Sequence, residues 1–179
     1  MRVCLSLVFV IALLCFRSTV TFFSPNKIKK LDVTLLCGYV LLVLLITIGL
    51  RTYDDESMVN LNPFKSYSLV IGTLIEGIRE HAIIQRFRWV SAALEGYVLN
   101  AVLFIPLGYL IPQVIAGARH WWKVLLVGFV LSLFIETIQL ITRFGWFDLT
   151  DVIHNTLGSW IGYGLFKLFT PYKSTHKKQ

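Results

Sequence analysis

Long apolar runs constrain this chain more than any other feature of its sequence. A transmembrane helix needs about 20 predominantly apolar residues, and five runs approach or reach that length, over residues 3–23, 33–50, 97–115, 122–141 and 152–169. Apolar residues make up 56% of the 179-residue chain, a larger share than an ordinary soluble domain carries. The sequence therefore predicts an all-α polytopic membrane protein with about five transmembrane helices.

The first run, residues 3–23, has two interpretations. Arg2 and the apolar stretch that follows it fit the n-region and h-region of a signal peptide, but no clear small-x-small cleavage site follows, and Arg17 interrupts the run. Residues 1–23 are thus predicted to be either an extra N-terminal helix or a leader. The membrane domain is assigned to residues 24–170 and a basic cytoplasmic tail to residues 171–179.

The distribution of charge between the runs predicts the orientation. Lys and Arg dominate the loops at 24–32 and 116–121 and the C-terminal tail, where Asp32 is the only acid, whereas the loops at 51–96 and 143–151 hold most of the other acids. Cytoplasmic loops are enriched in Lys and Arg, so the C-terminus is expected in the cytoplasm and the latter two loops outside it. The net charge of +7 is then a topology signal and does not indicate nucleic-acid binding.

The loop at 51–96 is long but only moderately polar. Pro63 restricts Asn62 to extended backbone, which favours an irregular first half. An imperfect apolar stripe beside Arg and Glu side chains over residues 68–90 predicts an amphipathic helix on the outer membrane interface. The alternative is a re-entrant or lid-like element that covers a site between the spans.

Polar side chains interrupt the last two apolar runs at helical spacing, so that each set shares one helix face. An ionisable group in a membrane costs roughly 2.5–3.5 kcal/mol on insertion scales and usually faces a cavity or another polar group. A short connection joins the two runs, which places both polar faces at the same outer level. The ligand-binding pocket predicted there comprises Asn100, Glu136, Gln139, Arg143, Asp148, Asp151 and Asn155.

Members of this set also have structural interpretations. Glu136 and Arg143 would form a buried ion pair that fixes helix register. Asn155 would make an interhelical hydrogen bond, and Asp148 would cap a helix. A single pair of this kind is readily structural, but the convergence of so many polar groups favours a functional site.

Prolines and glycines are assigned structural roles. Pro63 shapes the outer loop, Pro106 with Gly108 kinks or loosens a span, and Gly158 and Gly162 are interpreted as packing notches because nothing resembles a P-loop.

A metal site is not predicted. His154 follows Asp151 by three residues, but there is no HExxH sequence and no second His beside it. No metal and no cofactor is therefore expected.

Three segments, "NLNPF" at 60–64, "LNAVLFIPLGYLIP" at 99–112 and "SLFIETIQLITRFGWFDLTDVIHNTLGSWIGYG" from Ser132, together resemble the VanZ-like family of bacterial integral membrane proteins over roughly residues 33–170. The family is named after an accessory protein that lowers susceptibility to the glycopeptide teicoplanin. Its polar pattern maps onto the seven pocket residues. Asn62 departs from the family pattern, and the run up to Phe23 is expected to lie outside it. The resemblance implies no reaction.

Three functions fit these residues. In a non-enzymatic envelope protein, Arg143 would pair with a phosphate or carboxylate of an envelope lipid, a lipid-linked wall precursor or a lipophilic glycopeptide. Asp148 and Asp151 would accept hydrogen bonds from sugar hydroxyls or amines, and Glu136 would hold Arg143 in place. In an intramembrane enzyme, Glu136 would act as general base beside a divalent ion. In a small transporter, Glu136 would relay protons, and the chain would form an oligomer.

Overall fold

The computed structural model describes residues 25–49, 53, 59–79 and 83–170. The first apolar run and the basic C-terminal tail lie outside these residues, so both assignments stay predictions.

Five α-helices make up nearly all of the described chain, which confirms the all-α class. They are α1 Pro25–Leu44, α2 Lys65–Arg79, α3 Ile83–Val114, α4 Trp121–Thr142 and α5 Leu149–Phe169. A π-helical turn, Leu45–Gly49, extends α1, and a 3₁₀ turn, Ala116–Ala118, precedes α4. Two short strands, β1 Val59–Asn60 and β2 Phe147–Asp148, are the only strands in the described residues.

Three helical stretches of the described chain are long and apolar enough to cross a bilayer. They are Lys29–Gly49, Arg86–Val114 and Trp121–Thr142. These three candidate spans support a membrane protein, and the expected count of five is not confirmed. Helix α5 has 21 residues and a length of about 31 Å at 1.5 Å per residue. Its Asp151, His154 and Asn155 lower its mean hydropathy below that of the three stretches.

The amphipathic segment over residues 68–90 is two helices and not one, which corrects the sequence interpretation. Helix α2 ends at Arg79, and α3 begins at Ile83 and continues through Pro106 and Pro112 without a break. The apolar stripe misled the prediction because both helices expose apolar side chains on either side of the break. An ion pair of 2.9 Å between Arg86 and Glu76 joins them.

Helix α3 lies at the centre of the bundle and packs against α1 and α5. Its Leu103, Phe104 and Leu107 form one buried cluster with Tyr39 and Val43 of α1. The Tyr39 hydroxyl donates a hydrogen bond of 3.0 Å to the carbonyl oxygen of Leu103. This contact satisfies the hydroxyl inside an apolar core, as burial requires.

Glycines allow α3 and α5 to approach closely. A Cβ on Gly158 would overlap the backbone of Ala101, and a Cβ on Gly162 would overlap the carbonyl oxygen of Ile105. Gly108 of α3 faces the backbone of α5 in the same way. Close backbone approach through small residues is how helices associate where lipid removes the hydrophobic driving force.

The two strands position the loop that precedes α2. They pair in parallel, Val59 with Phe147 and Asn60 with Asp148. Residues far apart in sequence thereby meet at the turn between α4 and α5.

We expect Gly162→Ala to destabilise the protein strongly, because the added methyl group collides with backbone that cannot rotate away. Overpacking costs about 1–3 kcal/mol. Gly164 lies on the same helix with no atom within 4 Å of an added Cβ, so Gly164→Ala should be neutral or stabilising. Thermal unfolding of the two variants in detergent measures the difference. Equal melting temperatures would contradict the proposed packing.

Candidate functional site

A row of buried polar side chains runs along one face of α4. Ser132, Glu136 and Gln139 are each no more than 2% exposed, and their spacing of four and three residues aligns them. We call these three residues the α4 polar row. Each of them is hydrogen bonded to a different segment of the chain.

Glu136 holds the turn that leads into α5. Its Oε2 accepts a hydrogen bond of 3.0 Å from the backbone N–H of Asp148. The expected ion pair with Arg143 does not occur in the described part of the chain, where the guanidinium of Arg143 points to Tyr53 instead. The buried carboxylate of Glu136 therefore stabilises the backbone at Asp148, just before α5.

Gln139 joins α4 to the π-helical turn at the end of α1. Its Nε2 donates a hydrogen bond of 2.7 Å to the carbonyl oxygen of Thr47. The last carbonyls of a helix have no partner within it, and lipid offers no hydrogen-bond donor. The Gln139 amide therefore supplies the hydrogen bond that the Thr47 carbonyl would otherwise lack. The buried Oε1 of Gln139 has no partner among the described residues.

Asn155 completes the inward-facing set. It is 3% exposed, and its Nδ2 donates a hydrogen bond of 2.8 Å to the Ser132 hydroxyl. This is the interhelical contact that the structural interpretation described. Glu136, Gln139 and Asn155 thus face the interior of the bundle and are engaged by other parts of the protein.

Asp148 lies at the boundary between the buried groups and the surface. It caps α5 by accepting a hydrogen bond of 2.8 Å from the backbone N–H of Thr150, and it accepts another of 3.1 Å from Asn60 Nδ2. Asp151 is half-buried in the first turn of α5, where a negative charge is favourable.

Arg143 is exposed where α4 ends. It adopts a left-handed conformation with φ of 57°, which a residue other than glycine rarely adopts. Its Nη1 donates a hydrogen bond of 3.3 Å to the Tyr53 hydroxyl. The ring of Tyr53 meets that of Phe144 edge-on at a centroid distance of 6.0 Å, so the cation lies beside exposed aromatic surface.

Asn100 is half-buried on α3. It precedes Ala101, which faces Gly158 across the contact between α3 and α5. Its side chain makes no hydrogen bond within the described residues. The structure therefore separates the seven predicted residues into an inward set and an outer set, Asn100, Arg143, Asp148 and Asp151.

Sequence reasoning missed an aromatic cluster beside the outer set. The rings of Tyr97 and His154 stack at 4.8 Å and 7°, and Tyr67 packs against both. His154 Nδ1 lies 2.8 Å from the Thr150 carbonyl oxygen, which can only accept, so Nδ1 carries the proton. In the neutral ring, Nε2 therefore accepts the bond of 3.3 Å from the Tyr67 hydroxyl.

Burial and the charge of Asp148 raise the pKa of Tyr67 above its ordinary value. The hydroxyl keeps its proton and acts as the donor to His154. No spacing signal could have found this cluster, because Tyr67, Tyr97 and His154 belong to three different helices.

Asn60 was also missed as a partner of Asp148, although it lies in a quoted motif. Asn62, which departs from the family pattern, is exposed, and its Oδ1 accepts a hydrogen bond of 2.9 Å from the N–H of Phe64. Its polar side chain stabilises the turn before α2. Asx turns of this kind are a common role for asparagine.

No group of three His, Cys, Asp or Glu side chains in the described chain is arranged to hold a metal ion. Both ring nitrogens of His154 are already engaged, by Thr150 and Tyr67.

The profile of the family described as VanZ/LLP1 matches residues 4–170. The chain belongs to the VanZ/LLP1 family. The match begins before the predicted start at residue 33, so the first apolar run lies within the family pattern, contrary to expectation. No curated protein and no solved structure matches the chain significantly.

Two substitutions at Glu136 should separate its hydrogen bond from its charge. Glu136→Gln keeps an acceptor for the Asp148 N–H, whereas Glu136→Leu removes it. An unsatisfied polar group costs about 1–3 kcal/mol, so we expect the Leu variant to lose more stability by this amount. Thermal unfolding in detergent provides the measurement. The structural role would be refuted by a Leu variant as stable as the Gln variant.

Proposed function

We propose that this VanZ/LLP1 protein is a non-enzymatic membrane protein of the bacterial cell envelope that binds the anionic head group of an amphiphile at the outer membrane surface. The ligand class comprises envelope lipids, lipid-linked wall precursors and lipophilic glycopeptides. Retaining such a molecule would lower susceptibility to teicoplanin-type antibiotics by shielding the precursor or sequestering the drug.

The observation that carries this proposal is the setting of Arg143. Its guanidinium has only a neutral hydroxyl as partner within the described chain, while Phe144 and Trp146 beside it are 36% and 46% exposed. A guanidinium pairs well with phosphate or carboxylate, and aromatic side chains favour the membrane interface. Together they suit a molecule with an anionic head and an apolar tail.

The roles assigned to the pocket residues change accordingly. Arg143 is the anion-binding group, and Asp148, Asp151 and Asn100, the other members of the outer set, would contact the rest of the head group. Glu136, Gln139 and Asn155 support the site from behind. Because Glu136 is committed to the Asp148 N–H, its contact favours this positioning role over that of a general base or proton relay.

The proposed topology has α5 as a further span, with residues 3–23 as the first. The glycine contacts along α5 support this arrangement, since they match α5 to the spanning part of α3. The C-terminus would then lie in the cytoplasm, and the loops at 51–96 and 143–151 outside it.

We expect Arg143→Gln to weaken binding of a polyprenyl pyrophosphate lipid by at least about tenfold and up to about 150-fold, since a charge-assisted hydrogen bond contributes about 1.5–3 kcal/mol. Binding is measured with the purified protein in nanodiscs. A teicoplanin-type glycopeptide serves as a second probe.

Arg88→Gln is the matched control. Arg88 is exposed on α3, and the substitution removes the same charge at the same predicted membrane side. If both variants bind like the wild type, or lose affinity equally, Arg143 is not the anion-binding group.

Topology can be tested by cysteine labelling after Cys4, Cys15 and Cys37 have been replaced by Ala. Phe144→Cys should react with an impermeant thiol reagent added to intact cells, and Arg119→Cys should react only after lysis. Both positions are exposed, whereas Thr150 is fully buried and would not report. The reverse labelling pattern would invert the orientation.

A further inference from the structure

The end of the bundle opposite Arg143 carries a second set of cations. Lys29 lies 18 residues before Thr47 on α1, and Trp121 lies 18 residues before Gln139 on α4. Counted along their helices, Lys29 and Trp121 are each about 27 Å from the contact between Thr47 and Gln139, which we take to place them at a similar depth.

Two tryptophans mark this level as a membrane interface. Trp121 and Trp122 are 55% and 50% exposed, and tryptophan is enriched where lipid head groups meet the hydrocarbon. Lys123 lies 5.4 Å from the ring centroid of Trp122. The exposed lysines of α1 therefore stand at head-group depth, independently of which membrane side this end faces.

A groove on α1 opens between these lysines. It has a volume of about 610 Å³ and is lined by Lys29, Lys30, Val33 and Thr34. All four side chains are exposed, so a lipid in the surrounding leaflet would reach the groove directly.

The charge in the groove is not neutralised by a neighbouring acid. Asp32, the only carboxylate at this end of the described chain, is 2% exposed and so does not reach the exposed surface on which the lysines lie. The positive charge of the two exposed lysines therefore favours an anion at this position.

An apolar path leads from the groove toward the membrane centre. Val33, Cys37, Leu41 and Leu45 follow one another at intervals of four residues and are all exposed, so they form one stripe along α1. A bound anion at the lysines would thus continue into a hydrocarbon chain along this stripe.

We propose that the α1 groove is a binding site for an anionic phospholipid, with its phosphate between Lys29 and Lys30 and one acyl chain along the Val33–Leu45 stripe. Two cations and an apolar track match a phosphodiester with attached chains. A zwitterionic lipid fits less well, because its own ammonium group would meet the lysines. Basic pockets beside transmembrane helices commonly recognise anionic head groups.

Native mass spectrometry of the full chain in detergent tests the proposal, with cardiolipin and phosphatidylglycerol as anionic probes and phosphatidylcholine as the zwitterionic one. We expect the anionic lipids to bind at least tenfold more tightly than phosphatidylcholine. The double variant Lys29→Gln/Lys30→Gln should lose most of this preference, and added salt should weaken it in the wild type.

The matched control is Lys123→Gln/Lys167→Gln, which removes the same charge near the same end but outside the groove. It should retain the preference. A third variant, Val33→Trp, keeps both lysines and fills the groove, and it should lower anionic lipid binding at least fivefold. Circular dichroism and gel filtration confirm that each variant is folded.

Three results would overturn the proposal. The first is an equal loss of anionic lipid binding in the two double variants, which would indicate diffuse attraction by net charge. The second is unchanged lipid binding in Val33→Trp. The third is competition by millimolar inorganic phosphate, which would indicate a site for a free anion. None of these readouts involves Arg143, so they are independent of the function proposed at the opposite end.

Discussion

The structure depends on one constraint, which is that polar groups in a membrane-level bundle must be satisfied by the protein itself. Except at Gln139 Oε1, the α4 polar row meets this constraint by connecting three separate segments. Ser132 bonds to Asn155 of α5, Glu136 to the backbone before α5, and Gln139 to the π-helical end of α1. Each bond therefore determines where a neighbouring helix lies. The α4 polar row thus holds α1, α4 and α5 together near the end of the bundle where Arg143 and Asp148 lie.

The α3–α5 interface is the second feature that determines the geometry of the site. Its glycines bring the two backbones together, which aligns the start of α5 with Tyr97 and Asn100 of α3. The stacking of His154 on Tyr97 follows from this alignment. Without such close approach, the His154 ring would lie farther from the Tyr97 ring.

Helix periodicity and the short connection between the last two apolar runs were sufficient to predict the helical class and the pairing of the last two helices. They could not assign a direction to each side chain. Glu136 and Arg143 share a helical spacing, but α4 ends at Thr142, so Arg143 leaves the helical path and turns away from Glu136. The separation of α2 from α3 was missed because exposed apolar residues lie on both helices, before Arg79 and after Ile83. The contacts of Asn60 and Tyr67 depend on chain pairing that no local pattern encodes.

The backbone at Arg143 has a consequence for how stability and binding are balanced. A left-handed residue at the end of a helix is normally glycine or asparagine, and another residue there costs about 1 kcal/mol or more. Replacing Arg143 with glycine would relieve that strain while removing the guanidinium. A chain selected for stability alone would carry glycine at this position. The arginine therefore costs folding free energy at this turn, and the anion-binding role proposed for its guanidinium would account for that cost.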